Sequence, residues 1–234
     1  MLKKIGSLLL IAVALHAHAQ ENIIRKNLPE RLPNLPAIDE VSKTPMPGLF
    51  EVRIGSDVFY TDAQANFIVQ GSLFDVRQRR NLTEERVEKL SAIPFDQLPL
   101  KNAFTQVHGN GKRKLVVFAD PNCGYCKRFE KDLQNLHDVT IYHLLYPILG
   151  EDSKAKSRHI WCAKDRVKAW NDWMLRGVTP AGAQCDTTAI DANVEFGKKH
   201  RISGTPTLIL TDGSRIAGAV PASQVDKMLN DITP

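Results

Sequence analysis

Two cysteines separated by two residues, in the segment Cys123-Gly124-Tyr125-Cys126, carry the clearest potential for chemistry in this sequence. A thiolate at the first cysteine can attack a disulfide, and the second cysteine is near enough to close a bond with it. The segment directly follows an apolar strand pattern at residues 115–119 and opens a helical pattern. The first thiol is therefore expected at the positive end of a helix dipole, which favours the thiolate.

The spacing of the two cysteines alone leaves other interpretations of this pair open. A zinc site would need a second pair of closely spaced ligands, and the sequence has no second CxxC and no CxxxH. Haem attachment would need a histidine after Cys126, where Lys127 stands. Inert structural thiols are a third alternative, although so short a disulfide ring is strained and easily reduced. The strand-to-helix position favours redox catalysis, and we expect neither a metal nor an organic cofactor.

The other two cysteines are predicted to form a structural disulfide. Cys162 belongs to a helical stretch, whereas Cys185 lies in a loop next to Asp186. In an oxidising compartment such a bridge contributes roughly 3 kcal/mol by restricting the unfolded chain. The alternative is a pair of buried free thiols.

The N-terminus has the pattern of a secretion signal. Lys3-Lys4 is followed by an apolar run from Ile5 to Leu15 and by Ala17-His18-Ala19. This run is shorter than the ~20 residues that a membrane-spanning helix needs. We therefore expect a signal peptide over residues 1–19, cleaved after Ala19, and a mature protein outside the cytosol, where disulfides persist.

The mature sequence divides into a strand-rich part and an α/β part. An N-terminal domain is expected over residues 20–80. Prolines confine its first helix to Glu21–Leu28, and the short apolar runs that follow, separated by turn residues, predict a small antiparallel sheet. A connector helix and linker are expected over 81–103, and alternating strands and helices over 104–234. Within the last segment, Ser153–Met174 has one long helical pattern. The formal charge of +5 is too small for a dedicated nucleic-acid binder.

Several motifs together resemble the periplasmic disulfide isomerases of the DsbC/DsbG group, whose catalytic domain has the thioredoxin fold. The motifs occupy residues 69–76, 118–126, 160–165 and 204–207. Gly124 and Tyr125 between the cysteines resemble the DsbC branch rather than the Pro-Tyr of the DsbG branch. The resemblance covers nearly the whole mature chain, and it implies a two-domain α+β and α/β protein with a helical insertion in the thioredoxin-like domain.

The resemblance also implies roles for single residues and partners. Cys123 and Cys126 would be catalytic, and Thr205 would offer its backbone to substrate before a cis Pro206. A strand near Gly71 would pair across a homodimer whose two catalytic domains flank an apolar cleft. Substrates would be misfolded or mis-oxidised secreted proteins, and a membrane thiol reductase of the DsbD type would keep the dithiol reduced. Two alternatives remain: a net thiol oxidase of the DsbA type, and a holdase chaperone with secondary redox activity.

Overall fold

The computed structural model describes residues 19–232. The chain forms two compact units, of which the first ends at Leu90 and the second begins at Ser91. This boundary falls inside the segment expected as a connector, residues 81–103. Of the predicted signal peptide, all but Ala19 lies outside the described residues. Between residues 19 and 232, no helix has both the length and the apolar character that a membrane span requires.

The first unit is built on an antiparallel sheet. It begins with helix α1, residues 19–31. Four strands follow, β1 (Glu40–Lys43), β2 (Leu49–Ile54), β3 (Asp57–Asp62) and β4 (Ile68–Val69), and they form one sheet in chain order. A ribbon of β5 (Phe74–Asp75) and β6 (Arg80–Asn81) leads into helix α2 (Leu82–Ser91). The small antiparallel sheet predicted for the N-terminal part is confirmed.

Helix α1 covers one face of this sheet. Ile24 and Leu28 are fully buried and pack with Phe50 and Val52 of β2. The predicted end at Leu28 is wrong, because the helix passes through Pro29 and ends at residue 31. A proline removes one backbone hydrogen bond, and the chain still makes the bond from Leu32 N–H to the Leu28 carbonyl at 2.8 Å beyond it.

The segment around Gly71 is an exposed edge of the first unit. Strand β4 lies at one end of the strand order, and Gly71 itself lies in a bend between β4 and β5, outside any strand. Large apolar side chains are exposed on both sides of the bend: Phe67 by 72%, Val69 by 52% and Phe74 by 52%. The expected edge strand therefore ends two residues before Gly71.

The second unit has a five-stranded mixed sheet between helices. Its elements are β7 (Phe104–His108), β8 (Arg113–Ala119), α3 (Gly124–Leu133), β9 (Val139–Leu145), α4 (Glu151–Cys162), α5 (Arg166–Arg176), α6 (Thr188–Lys199), β10 (Thr207–Ile209), β11 (Arg215–Ala217) and α7 (Ala222–Ile232). The strand order is β11-β10-β8-β9-β7, in which only β8 and β9 are parallel. The predicted combination of an antiparallel first domain and a mixed α/β second domain is confirmed.

Two elements of this unit differ from the sequence expectation. Strand β7 is an additional edge strand that pairs with β9 and was not predicted. The long helix predicted over Ser153–Met174 is wrong, because α4 ends at Cys162 and α5 begins at Arg166. Asp165 causes this restart: its carboxylate accepts the backbone N–H of Lys168 at 2.9 Å and so caps α5.

Strand β8 is the centre of the second unit. Leu115, Val117 and Ala119 pack with residues of α3, α5 and α7 on one face of the sheet. The alternate residues Val116 and Phe118 pack on the opposite face, against a cluster that α6 completes. Burial on both faces fixes the strand in place. The loop that leaves its C-terminal end, which contains the first cysteine of the pair, is therefore held by a rigid support.

Candidate active site

The two cysteines of the Cys123–Cys126 segment meet at the N-terminus of helix α3. Cys123 is the N-cap residue, and its Sγ accepts the backbone N–H of Cys126 at 3.2 Å. Both are free thiols, with 5% and 1% of Cys123 and Cys126 exposed. Gly124 begins the helix, and Tyr125 is 63% exposed. The sulfur of Cys123 thus receives a helix-terminal N–H that has no partner within the helix.

The environment separates the two thiols by acidity. Hydrogen bonding with the Cys126 side chain is the largest of the causes that lower the pKa of Cys123, to about 6, against an opposing effect of burial. The same hydrogen bond, followed by burial, raises the pKa of Cys126 far above its ordinary value. Near neutral pH, Cys123 is therefore a thiolate while Cys126 keeps its proton. This is the state required of an attacking thiol and a resolving thiol.

The loop before β10 lies directly against the first cysteine. Thr207 of β10 pairs with Phe118 of β8, so the residues before β10 adjoin those that follow β8. The Thr205–Pro206 peptide bond is cis, and Cys123 Sγ lies 3.2 Å from the Thr205 carbonyl oxygen, to which it donates a hydrogen bond when it is protonated. The structure thus brings Thr205 and Pro206 together with the dithiol.

Asp120 organises the loop between β8 and α3, and sequence reasoning gave it no role. Its buried carboxylate accepts four hydrogen bonds: from Asn122 N–H at 2.7 Å, Ser153 hydroxyl at 2.7 Å, Ile148 N–H at 2.8 Å and Leu149 N–H at 2.9 Å. One side chain therefore ties the segment before Cys123 to the loop after β9 and to the start of α4. The only sequence signal is an acidic residue at the end of a buried strand.

Trp173 of α5 contacts the same loop. Its indole N–H donates to the Pro121 carbonyl oxygen at 2.6 Å. The ammonium groups of Lys127 and Lys156 lie 3.9 Å and 4.7 Å from the centre of its ring. These cation–π contacts place two positive charges next to the segment that carries the dithiol.

The other two cysteines are joined to each other. A disulfide connects Cys162, at the end of α4, with Cys185, in the exposed loop before α6, and their Cα atoms are 5.4 Å apart. The Trp161 indole N–H donates to the Asp186 carbonyl oxygen at 3.1 Å beside it. This disulfide holds the inserted helices α4 and α5 and the following loop, and none of the hydrogen bonds given above for the dithiol involves it. Gly71, the remaining predicted site residue, belongs to the first unit.

The second unit also buries an acid and a base. Glu130 of α3 and His143 of β9 are both buried, with 3.4 Å between Glu130 Oε1 and His143 Nδ1. Burial raises the pKa of Glu130 to about 8 and lowers the pKa of His143 to about 3. Both groups are therefore neutral near pH 7. Among residues 19–232, no cluster of three or more histidine, cysteine or acidic side chains is arranged to hold a metal.

We predict that Glu130→Gln changes how stability depends on pH. The pKa of the Glu130 carboxyl is about 8 in the folded state and near 4.5 in the unfolded state. The carboxyl therefore stabilises the folded state fully below pH 4.5 and loses this contribution as pH rises to 8. Between these values its contribution falls by about 1.4 kcal/mol per pH unit. Denaturant unfolding should therefore show the variant gaining stability over the intact protein as pH rises from 5 to 8. An unchanged difference across this range would contradict the assignment.

We also predict that alkylation of the reduced protein follows the Cys123 thiolate. The pKa of Cys123 is lowered to about 6 from its ordinary value of 9.0. As pH falls, the rate of its reaction with iodoacetamide should therefore drop to half its maximum near pH 6 rather than near pH 9. Mass spectrometry should find the label on Cys123 and not on Cys126. A midpoint between pH 8 and 9 would contradict the pKa, and a Cys123→Ser control should remove the fast reaction.

Comparison with known proteins places both units in known families. The thioredoxin-like domain family matches residues 100–233, and the family described as the disulfide bond isomerase protein N-terminal domain matches residues 15–84. The probable thiol:disulfide interchange protein DsbC of Bordetella pertussis is 45% identical over 192 residues, which are 82% of this chain and 68% of that protein.

Two further similar proteins are also named as disulfide interchange proteins. The thiol:disulfide interchange protein DsbC of Escherichia coli K12 is 29% identical over 199 residues, 82% of this chain and 81% of its own. A crystal structure of a disulfide interchange protein from Neisseria gonorrhoeae is 37% identical and has a TM-score of 0.55. It covers 57% of this chain and 97% of that protein's chain.

Proposed function

The chain belongs to the DsbC family of thiol:disulfide interchange proteins, which are disulfide isomerases, and we propose that Cys123 and Cys126 are its catalytic pair. One observation carries this assignment: Cys123 is a helix N-cap whose pKa is lowered to about 6, whereas Cys126 is buried and stays protonated. Cys123 would be the nucleophile, and Cys126 the resolving thiol. Thr205 and Pro206 would form the loop against which the substrate chain lies.

The proposed reaction is thiol–disulfide exchange. The Cys123 thiolate attacks one sulfur of a wrong disulfide, the protein–substrate bond forms, and the other substrate sulfur leaves as a thiolate. In isomerisation, a substrate thiolate then attacks the mixed disulfide and releases Cys123 as thiolate, so that no net oxidation occurs. In reduction, Cys126 loses its proton and attacks Cys123 instead, which leaves the substrate reduced and the pair oxidised.

A cycle that ends in reduction requires a source of electrons before the pair can act again. Because each reduction leaves the pair oxidised, a membrane thiol reductase of the DsbD type would return Cys123 and Cys126 to the dithiol state. We place the protein in the periplasm, exported by the N-terminal signal and cleaved after Ala19. The Cys162–Cys185 disulfide supports this location, since such bonds persist in oxidising compartments. Its substrates would be misfolded or mis-oxidised secreted proteins.

We propose a homodimer formed through the first unit. Strand β4 presents unpaired backbone groups at one edge of its sheet, a surface that pairs readily with a second strand. The neighbouring apolar side chains Phe67, Val69 and Phe74 are exposed in one chain and would be covered in a dimer. Gly71 would lie where the two chains approach. Two catalytic units facing a shared cleft would hold an unfolded chain while it is rearranged.

We predict that Gly71→Arg yields a monomer that has lost most isomerase activity. A Cβ at Gly71 meets no atom within 4 Å in the single chain, so the substitution should leave the first unit folded and obstruct only the partner. Loss of bivalent substrate binding should lower the rate of disulfide rearrangement by about tenfold or more. Sedimentation and refolding of a scrambled-disulfide protein measure the two effects.

Gly182→Arg is the matched control. Gly182 is another glycine at which a Cβ meets no atom within 4 Å, and it belongs to the second unit. This variant should stay dimeric and active. A Gly71→Arg protein that sediments as an unchanged dimer, or a proven monomer with full isomerase activity, would contradict the proposed link between dimerisation and function.

A further inference from the structure

Two adjacent apolar side chains are exposed on the loop between β9 and α4. Ile148 is 37% and Leu149 is 55% exposed. Isolated exposed apolar side chains are common on protein surfaces. Among the described residues of the second unit, however, only Ile148 and Leu149 are sequence neighbours that are both large, apolar and exposed. We call this pair the apolar lip.

The backbone of the apolar lip is fixed although its side chains face solvent. The N–H groups of Ile148 and Leu149 donate to Asp120 Oδ2 at 2.8 Å and 2.9 Å. Because Asp120 is fully buried, these hydrogen bonds are shielded from competing water. A loop held this firmly does not need apolar side chains on its outer surface for its own stability.

The same carboxylate places the apolar lip beside the dithiol. Asp120 Oδ1 accepts the N–H of Asn122, the residue before Cys123. The apolar lip and the residue before the attacking cysteine are thus hydrogen-bonded to the two oxygens of one carboxylate. Tyr125, between the two cysteines, is also exposed. Exposed apolar side chains therefore occur both on the dithiol segment and on the loop after β9.

Polar groups border this surface. Asn122 donates its side-chain N–H to Asp152 Oδ2 at 2.7 Å, and the exposed Glu151 follows the loop directly. An apolar centre with a polar rim is the usual composition of a surface that binds another chain. Both N–H groups of the apolar lip are bound to Asp120, while its side chains are exposed and available to a ligand.

We propose that the apolar lip binds an apolar side chain of an extended substrate, next to the substrate cysteine that Cys123 attacks. This inference rests on the proposed function and specifies its substrate class: disulfides flanked by apolar residues, which folded proteins bury and misfolded proteins expose. The reaction itself is unchanged, and the apolar lip selects which disulfide reaches Cys123. Burial of apolar area is its source of affinity.

The test compares two peptide disulfides that differ only beside cysteine. One peptide carries leucine and the other serine at the positions flanking the cysteine, and each is supplied as its symmetric disulfide. The reduced protein should react with the leucine peptide about five times faster, measured as the second-order rate constant. In an Ile148→Ser, Leu149→Ser double variant, the ratio between the two peptides should fall close to one.

Val107→Ser serves as the matched control. Val107 of β7 is 59% exposed and pairs with Thr140 at the start of β9, whereas the apolar lip follows the C-terminal end of that strand. This variant should keep the ratio of the intact protein. A general distortion of the site would slow both peptides alike and leave the ratio unchanged, and an unchanged ratio in the double variant would overturn the inference. Failure of the intact protein to react with either peptide would overturn the proposed function, and this inference with it.

Discussion

Replacing Cys123 by serine should lower thiol–disulfide exchange by about a thousandfold or more, because the only acidic, attackable thiol of the pair is lost. Cys126 cannot substitute for it, since it is 1% exposed and its pKa is raised. Cys126→Ser should behave differently. Cys123 still attacks, but no neighbouring thiol releases the substrate, so mixed disulfides should accumulate. Non-reducing electrophoresis and intact-mass measurement with a disulfide-containing client give the amount of adduct.

The double variant Cys123→Ser, Cys126→Ser sets the background for this experiment. It should form no adduct, which excludes a contribution from Cys162 and Cys185. Equal trapping by the two single variants would contradict the assignment of nucleophile and resolving thiol.

The same double variant separates catalysis from holdase activity, because suppression of aggregation of a cysteine-free client would not depend on either thiol.

Asp120→Ala should destabilise the second unit by about 3 kcal/mol or more. The substitution leaves four donors without their acceptor, and a buried donor without a partner costs roughly 1–3 kcal/mol. The loop before Cys123 and the apolar lip should then lose their common support, so exchange by Cys123 should also slow. Denaturant unfolding, followed by the fluorescence of the tryptophans, all of which lie in the second unit, measures the first effect.

Two further variants make the Asp120 result interpretable. Asp120→Asn keeps the shape but replaces one acceptor oxygen by a donor that faces N–H groups, so it should also destabilise. Asp191→Ala removes an exposed carboxylate of α6 and should change stability by less than about 0.5 kcal/mol. Unchanged stability of Asp120→Ala would contradict the role given to its hydrogen bonds.

The chemistry of the dithiol was predictable because it depends on local sequence. A strand, two cysteines at a spacing of three and a helix lie in one short segment, and the hydrogen bond to Cys126 within it is the largest cause that lowers the pKa of Cys123. The juxtaposition of Thr205 with Cys123 is different. It depends on β10 pairing beside β8, and the expectation came from family resemblance rather than from the spacing of residues.

The contacts of Asp120 and Glu130 were not predictable in this way. Asp120 binds partners 28, 29 and 33 residues away in addition to its neighbour Asn122, so only the folded chain brings them together. Glu130 occurs in a helix rich in charged residues, and its burial becomes apparent only when His143 of β9 is placed beneath it. Charged side chains are mostly exposed, so the sequence favours the wrong environment for Glu130.

The errors in the predicted elements have local causes. The helical period of the sequence continues through residues 163–165, but the chain is extended at Ala163 and the cap at Asp165 begins α5. Strand β7 is five residues long, at the edge of the sheet, with alternating buried and exposed side chains at its start, and such a short pattern is weak without knowledge of its partner β9. Pro29 lies near the end of α1 and removes one backbone hydrogen bond, so it does not stop the helix at Leu28.

Refolding of a scrambled-disulfide protein tests the assigned isomerase chemistry most directly. The substrate is fully oxidised with wrong pairings, oxygen is excluded, and the protein is added reduced and in catalytic amount. We predict that native pairing and client activity return many times faster with the intact protein than with the Cys123→Ser variant, while the total number of substrate disulfides stays nearly constant. Equal rates for the two proteins, or faster formation of disulfides in a reduced client with no rearrangement of the scrambled one, would contradict isomerisation through Cys123.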